Sequence, residues 1–347
     1  MSDLRIDNIT NRTDDSGAVI AGVSTVSTTG AFTVPVGPTE MRGGRGRGLF
    51  SGGYQTGGGD KNIIDMIEIA TTGNATDFGD LTTERRGTGG VTASSTRSVM
   101  IGGRDSPVNE CVIDYVTFSS NGGASAFGEL AGGVSNSGQC SSATRGICYS
   151  GARSNPSPAT SDTISFITFA STGDASDFGE ATSSLITCGG AQSPTRGLFA
   201  GGYNPAELKS IDYVTIASLG NGQHFGELTL TVRRVCGSSN STRAIWAGGN
   251  QYPAAPAGVV DISYSTIATF GNAIDFGDLS SANAGAPAAC ASETRSVIHR
   301  AHADSSPGNV LEYVTISTTG NAVDFGDLTN ATEWGKGGSS DCHGGLG

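Results

Sequence analysis

Hydrophobic positions along this chain alternate singly; they do not recur every third or fourth residue. The segments IIDMIEIA, VIDYVTFS, TISFITFA, SIDYVTIA, DISYSTIA and VLEYVTIS interleave apolar and polar positions, closer to the period of a strand than to that of a helix. In the fourth, Ile211, Tyr213 and Thr215 fall on one side and Asp212, Val214 and Ile216 on the other. Ahead of each stands a short apolar run opened by an arginine: RGLFSGG at Arg47, RSVMIGG at Arg97, RGICYSG at Arg145, RGLFAGG at Arg196, RAIWAGG at Arg243 and RSVIHRA at Arg295. A run of this kind, ended by Gly-Gly, reads as a buried strand leading into a tight bend. Behind each alternating segment comes a turn such as TTGNAT or STGDAS, whose glycine supplies the backbone freedom a hairpin needs. A short strand built on FG[DE]L follows. No window longer than one turn carries helical periodicity.

These landmarks repeat. Phe78, Phe127, Phe178, Phe225, Phe276 and Phe325 each precede a glycine, at spacings of 49, 51, 47, 51 and 49. Arginine, alternating segment and Phe-Gly keep one order throughout, so the chain holds six copies of one unit of about four strands. Four strands at a period near 50 define a propeller blade, and the expected fold is all-β: a six-bladed β-propeller over residues 47–347. Its units start near 47, 97, 145, 196, 243 and 295. Stretches of small residues such as NSGQCSSA, TCGGAQSP and APAACASE precede each arginine, and side chains this small suit strands converging on a crowded axis. The first unit begins directly at Arg47, while the last ends in WGKGGSSDCHGG with no arginine strand after it. That stretch is therefore expected to supply the innermost strand of blade one and close the ring; TEMRGGRG, ahead of Arg47, has too few strand formers for the place.

Residues 1–46 lie outside the repeat. VIAGVSTVSTTGAFTVPVG alternates loosely and predicts one or two strands in a segment too short to fold alone. It reads as an anchoring or oligomerisation arm, and GGRGRG (residues 43–48) as a flexible hinge.

Composition supports strands and narrows partners. Glycine supplies 54 of 347 residues and only 15% are charged, which disfavours long helices. A formal charge of −12 argues against nucleic acid. No run approaches 18 apolar residues, so no membrane span is expected. The start, MSDLRIDNIT, lacks the apolar core of a signal peptide. Seven cysteines without CxxC spacing read as free thiols and not as a zinc site.

Four units contain DFG, at 77, 177, 275 and 324, the tripeptide that places a magnesium-binding aspartate in kinases. The HRD loop and the VAIK lysine are absent, and Ala126 and His224 replace the aspartate in two units. The aspartates are expected to act in turns. Asp77/Asp80, Asp275/Asp278 and Asp324/Asp327 offer oxygens suited to calcium, but no dense acidic loop accompanies them, and neither metal nor cofactor is expected. Unit six reads HRAHAD where others have Gly-Gly, so His299, Arg300, His302 and Asp304 form a possible atypical site for a metal, sugar or anion. The loops after the Gly-Gly strands vary most and must leave one face of the disc, where binding residues often sit. Arg104, Tyr203, Asn204, Gln251 and Tyr252 are the binding candidates there.

RGLFAGGY and IDYVTIAS resemble kelch repeats, though tryptophan occurs only at 246 and 334. The units, and the leader LRIDNITNRT with GPTEMRGGRGRG, are more similar to Gly-rich repeat proteins of marine bacteriophages, cyanophages in particular. That resemblance spans nearly the whole chain. It implies a non-enzymatic structural protein of the virion, assembled in the host cytoplasm and tail-associated or fibre-like. Residues 1–46 would join other virion proteins, the propeller would meet a host-surface glycan or protein, and a homo-oligomer is expected. A capsid decoration or head fibre is the alternative. A carbohydrate-active enzyme on a kelch-like scaffold is the alternative of another class; the Asp-box, GxSxG and an isolated carboxylate pair are all absent.

Overall fold

In the computed structural model, the described residues are 46–347, apart from 91, 154–158, 252–257, 284, 286, 302–306 and 347, together with three strands between 19 and 33. The chain divides into two compact units, Met1–Gly43 and Gly44–Gly347. In the first, Val19–Ile20, Ser24–Val26 and Phe32–Thr33 form a small antiparallel sheet, one strand more than the alternation predicts.

The second unit is a six-bladed β-propeller. Blade four shows the standard pattern, with an inner strand Gly189–Gln192, a second strand Arg196–Ala200, a third Leu208–Thr215 and an outer Gln223–Val232, all antiparallel. Blades five and six repeat it from Cys236–Ser239 to Ile274–Asn283 and from Ala288–Ala291 to Val323–Thr332. Blade three adds Val134–Ser135 beside its long second strand Arg145–Arg153. In blade two the described residues of the inner position make a bridge between Ala93 and Ser98. Blade one takes its inner strand from Gly337–Ser340, which pairs with Arg47–Ser51. The ring closes as the sequence predicts.

Each blade is packed on both faces, which explains why the second strands are nearly continuous apolar runs. Leu49 faces blade two with Ile64, Phe78, Met100 and Phe118, while Phe50 faces blade six with Val297, Leu311 and Phe325. Successive residues thus enter opposite interfaces. The third strand departs from simple alternation. A bulge between Ile211 and Asp212 leaves both buried, so the aspartate expected on one side of an alternating strand faces the blade interior.

The recurring arginine is a clip between blades. Arg243 donates from Nη1 to the carbonyls of Ile316 and Ser317 in the next blade, each at 3.0 Å, and its guanidinium lies 4.7 Å from the Tyr264 ring centre. Arg97, Arg145, Arg196 and Arg295 do the same to Phe169, Ile216/Ala217, Ile267/Ala268 and Ile69/Ala70. Arg47 reaches the carbonyl of Phe118. Arg295 carries the pattern from blade six to blade one, so the clips complete a circle.

Phe-Gly is the outer counterpart. All six phenylalanines are buried between blades. Next to Phe276, a Cβ on Gly277 would lie 2.5 Å from the Gly320 backbone of the following blade, so only glycine lets the two hairpins meet. The N–H groups of Gly320 and Ala322 donate to the carbonyls of Phe276 and Asp278, both at 2.8 Å. Asn321 Oδ1 accepts from the Asp278 N–H at 3.1 Å. Asn74, Asp174, Asn221 and Asn272 make the equivalent bond. The aspartates of DFG do not act in turns. Asp77, Asp177, Asp275 and Asp324 stand exposed within the outer strands, and the turn contact falls to this Asn/Asp instead.

At the axis the inner strands touch, and small side chains are required. A Cβ on Gly190 would sit 2.0 Å from the Gln139 carbonyl oxygen.

Candidate functional site

The second strands of all blades end on one face, so the six variable loops leave there together. Tyr54–Gln55 with Gly59–Asp60, and Arg104–Asp105 with Val108–Asn109, form two-residue hairpins on this face. Tyr203 lies under the Arg233 guanidinium, 5.3 Å from ring centre. Asn204 Nδ2 donates to the Ser184 carbonyl and, in the equivalent place one blade on, Gln251 Nε2 donates to the Thr231 carbonyl at 3.0 Å. These amides therefore fasten each loop to the preceding unit, Ser184 following the outer strand of blade three and Thr231 lying in that of blade four. Arg104 is tied through its backbone to Arg86. The candidates sit separately on blades two, four and five. Tyr252 lies outside the described residues.

His299 is fully buried in the second strand of blade six, with Nε2 3.0 Å from the Gly308 carbonyl oxygen. Burial, with help from Lys336 and Arg300, pushes its pKa down to about 3, so the ring is a neutral core group. Arg300 Nε lies 3.9 Å from Glu312 Oε1. His302 and Asp304 lie outside the described residues. Among the described residues no group of three or more His, Cys, Asp or Glu could hold a metal ion. All seven cysteines are free.

The carboxylates that matter to packing are in the third strands. Asp65, Asp114, Asp212 and Glu312 are buried, and each accepts a hydrogen bond from a hydroxyl of the preceding blade: Thr329, Thr82, Thr182 and Ser280 respectively. Asp114 also pairs with Arg85 at 2.9 Å, and Asp65 with Lys336 at 3.5 Å. Burial pushes Asp212 above the usual carboxylate range. Blade three has Ser165 in this position and blade two has Ala131 and Gly132 for the hydroxyl, and a recess of about 500 Å³, counting space open to solvent, lies at that junction. An acid inside an otherwise apolar run (IIDMI, VIDYV, SIDYV, VLEYV) was the available sequence signal.

At the centre of the loop face lies the mouth of the axial channel. Five residues at equivalent positions form a belt there: Gly87, Asn136, Thr187, Arg234 and Gly335, with φ of 65°, 54°, 62°, 60° and 79°. The N–H of Gly87 donates to Gly335, Asn136 to Gly87, Thr187 to Asn136 and Arg234 to Thr187, at 2.7–3.0 Å. Left-handed geometry is costly for Thr and Arg, and the run of hydrogen bonds from Gly335 to Arg234 holds it in place. Inside the belt is a recess of about 520 Å³, counting space open to solvent, with Arg234, Lys336, Cys188 and Pro287 among its walls. Trp334 lies at the rim. The guanidiniums of Arg86 and Arg234 stand 4.8 and 5.2 Å from its ring centre, and Tyr54 meets it edge-on at 5.2 Å.

The opposite end of the channel is stoppered. After the closing strand, residues 341–346 turn across the axis and touch every blade. Asp341 Oδ1 accepts from the Arg47 N–H at 2.9 Å, and Ser340 donates to the Ala291 carbonyl at 2.5 Å. Gly344 packs on the Asn240 carbonyl. His343 is the centre: Nε2 donates to the Ala93 carbonyl at 2.8 Å, and Nδ1 accepts from Gly345 N at 3.0 Å and Gln192 Nε2 at 3.1 Å. Burial lowers its pKa to about 4, and with Nδ1 already accepting twice there is no room for a second proton. The channel is a blind cup open to the loop face.

Asn204, Gln251 and His299 are committed to structure, whereas at the cup the Arg234 guanidinium lines open space. Comparison with models of known protein families and with curated proteins finds no match to this chain. What the geometry defines is a six-bladed β-propeller. No described helix is long and apolar enough to cross a membrane.

Proposed function

We propose that the protein is a non-enzymatic structural component of a bacteriophage virion, tail-associated or fibre-like, which displays a rigid propeller toward a host-surface glycan or protein. Residues 1–46 attach it to other virion proteins. The observation that carries this reading is a division of labour within each unit. The arginine and Phe-Gly landmarks that resemble phage repeat proteins lock blade to blade, while the loops that differ between units all leave one face. A fixed disc with one variable face is the arrangement of a display scaffold. A non-catalytic role is supported by the buried carboxylates, which are engaged by hydroxyls and cations of the neighbouring blade.

The test is to locate the protein on intact particles by electron cryomicroscopy and to compare particles carrying a version without residues 1–46. Density at the tail, lost with the truncation, supports both parts of the reading. Density on the capsid moves the protein to a head decoration. Full incorporation of the truncated chain refutes the anchoring role. Turnover in a screen of oligosaccharide substrates refutes the non-catalytic one.

A further inference from the structure

Several features of the cup point beyond a passive scaffold. Arg234 extends from the entry of blade five past blade six to the Trp334 ring of blade one. Its neighbours are neutralised: Arg233 Nε lies 3.5 Å from Glu207, Arg86 Nη1 lies 3.1 Å from Asp60, and Lys336 Nζ lies 3.5 Å from Asp65. No carboxylate among the described residues lies within ion-pair distance of Arg234. Among the described residues its side-chain partner is the Trp334 face, which holds the guanidinium in place without using any of its five N–H donors. Such a group, half sheltered and next to a second arginine, is held below its usual pKa by desolvation and by Arg233.

The backbone adds a second argument. Arg234 occupies a left-handed position, φ 60°, where the belt has glycine at two of the other described positions. Glycine would meet that geometry without strain. An arginine there costs stability, and it places the guanidinium at the wall of a recess built mostly of small residues. In a chain of net charge −12, this is a local cationic pocket, closed underneath by residues 341–346.

We infer that the cup is a binding site for a small oxyanion group, a carboxylate or a phosphate or sulfate, with Arg234 as the bidentate donor and Trp334 as the residue that positions it. The recess admits a head group or a single acidic sugar unit and not a folded partner. Two oxygens of the ligand would take two parallel N–H bonds from the guanidinium fork. This inference does not depend on where the protein resides.

The test uses the full chain. Thermal unfolding and titration calorimetry are run with inorganic phosphate, sulfate and sodium glucuronate, against sodium chloride at equal ionic strength. The wild-type melting temperature is expected to rise with at least one of these anions, as ligand binding to the folded state requires. Arg234→Gly suits the backbone, so it folds; its affinity is expected to fall about tenfold or more, the usual loss for a charge-assisted pair. Arg234→Lys keeps the charge but not the fork and should fall between the two. A response to glucuronate alone assigns a sugar carboxylate; a response to phosphate or sulfate assigns a tetrahedral anion. The inference is overturned if the wild type responds to none beyond chloride, or if Arg234→Gly responds as the wild type does.

Discussion

The buried pair between Arg85 and Asp114 offers the most direct test of how the blades hold together. Both side chains are fully shielded from solvent and 2.9 Å apart. Asp114 belongs to the third strand of blade two, and Arg85 to the connection leaving blade one. Replacing Arg85 with Met leaves the Asp114 carboxylate buried with only the Thr82 hydroxyl and N–H as donors. Removing one partner of such a pair costs about 3–5 kcal/mol, whereas replacing both with apolar groups of similar size is often close to neutral. The double variant Arg85→Met/Asp114→Leu should therefore recover most of the loss, because Thr82 is exposed and its hydroxyl can turn to water. For a unit spanning Gly44–Gly347, an unfolding entropy of about 2.1 cal/mol/K per residue makes a loss of ~4 kcal/mol a drop of roughly 6 °C in Tm. The assay is thermal unfolding followed by both circular dichroism and tryptophan fluorescence; coincident curves establish that a single transition is being compared. If single and double variants are equally destabilised, burial of an unpaired charge is not the source of the loss, and the reasoning fails.

Other expectations follow from the same contacts. Arg243→Ala removes two interblade hydrogen bonds and the stacking on Tyr264, and should cost about 2–3 kcal/mol by chemical denaturation, with Arg243→Lys restoring less than half. Gly277→Ala should be clearly more destabilising than Gly271→Ala in the same assay: both have φ near 150°, but only at Gly277 would the new methyl strike the next blade. The stopper is pH-sensitive. His343 titrates at about 4 in the fold against 6.5 when free, so between these values the unfolded chain binds more protons and stability rises with pH. Acidification from pH 6.5 to 4 should remove roughly 3 kcal/mol through this group, and His343→Gln should flatten the slope of stability against pH across that window.

The fold was readable because its repeat is enforced by geometry at three separate places in each unit. The arginine must reach the next blade's carbonyls, Phe-Gly must admit the next hairpin, and the inner strands must be small. Closure was readable too, since the first unit lacks an inner strand and the last has one to spare. The loop-face residues read as exposed in sequence, yet Asn204 and Gln251 are spent on carbonyls of the preceding unit. His299 stood out because it breaks the Gly-Gly pattern, and the structure buries it. The cup was hidden for a different reason. Arg86, Arg234 and Trp334 come from three units, and each looks like a local irregularity in a small-residue stretch. Only closure of the ring brings them to one point.

Joining Gly337–Ser340 to Arg47–Ser51 also sets the order in which the molecule can be made. Arg47 leaves the ribosome 290 residues before Gly337. At about 5–20 residues per second, the second strand of the first blade waits on the order of 15–60 seconds for its neighbour. During that time its backbone N–H and C=O groups form an open edge, able to accept a strand from another nascent chain. Crowded polysomes are thus where this protein is most exposed to exchange of its final strand between copies, and slowed translation upstream of residue 337 should lengthen that window.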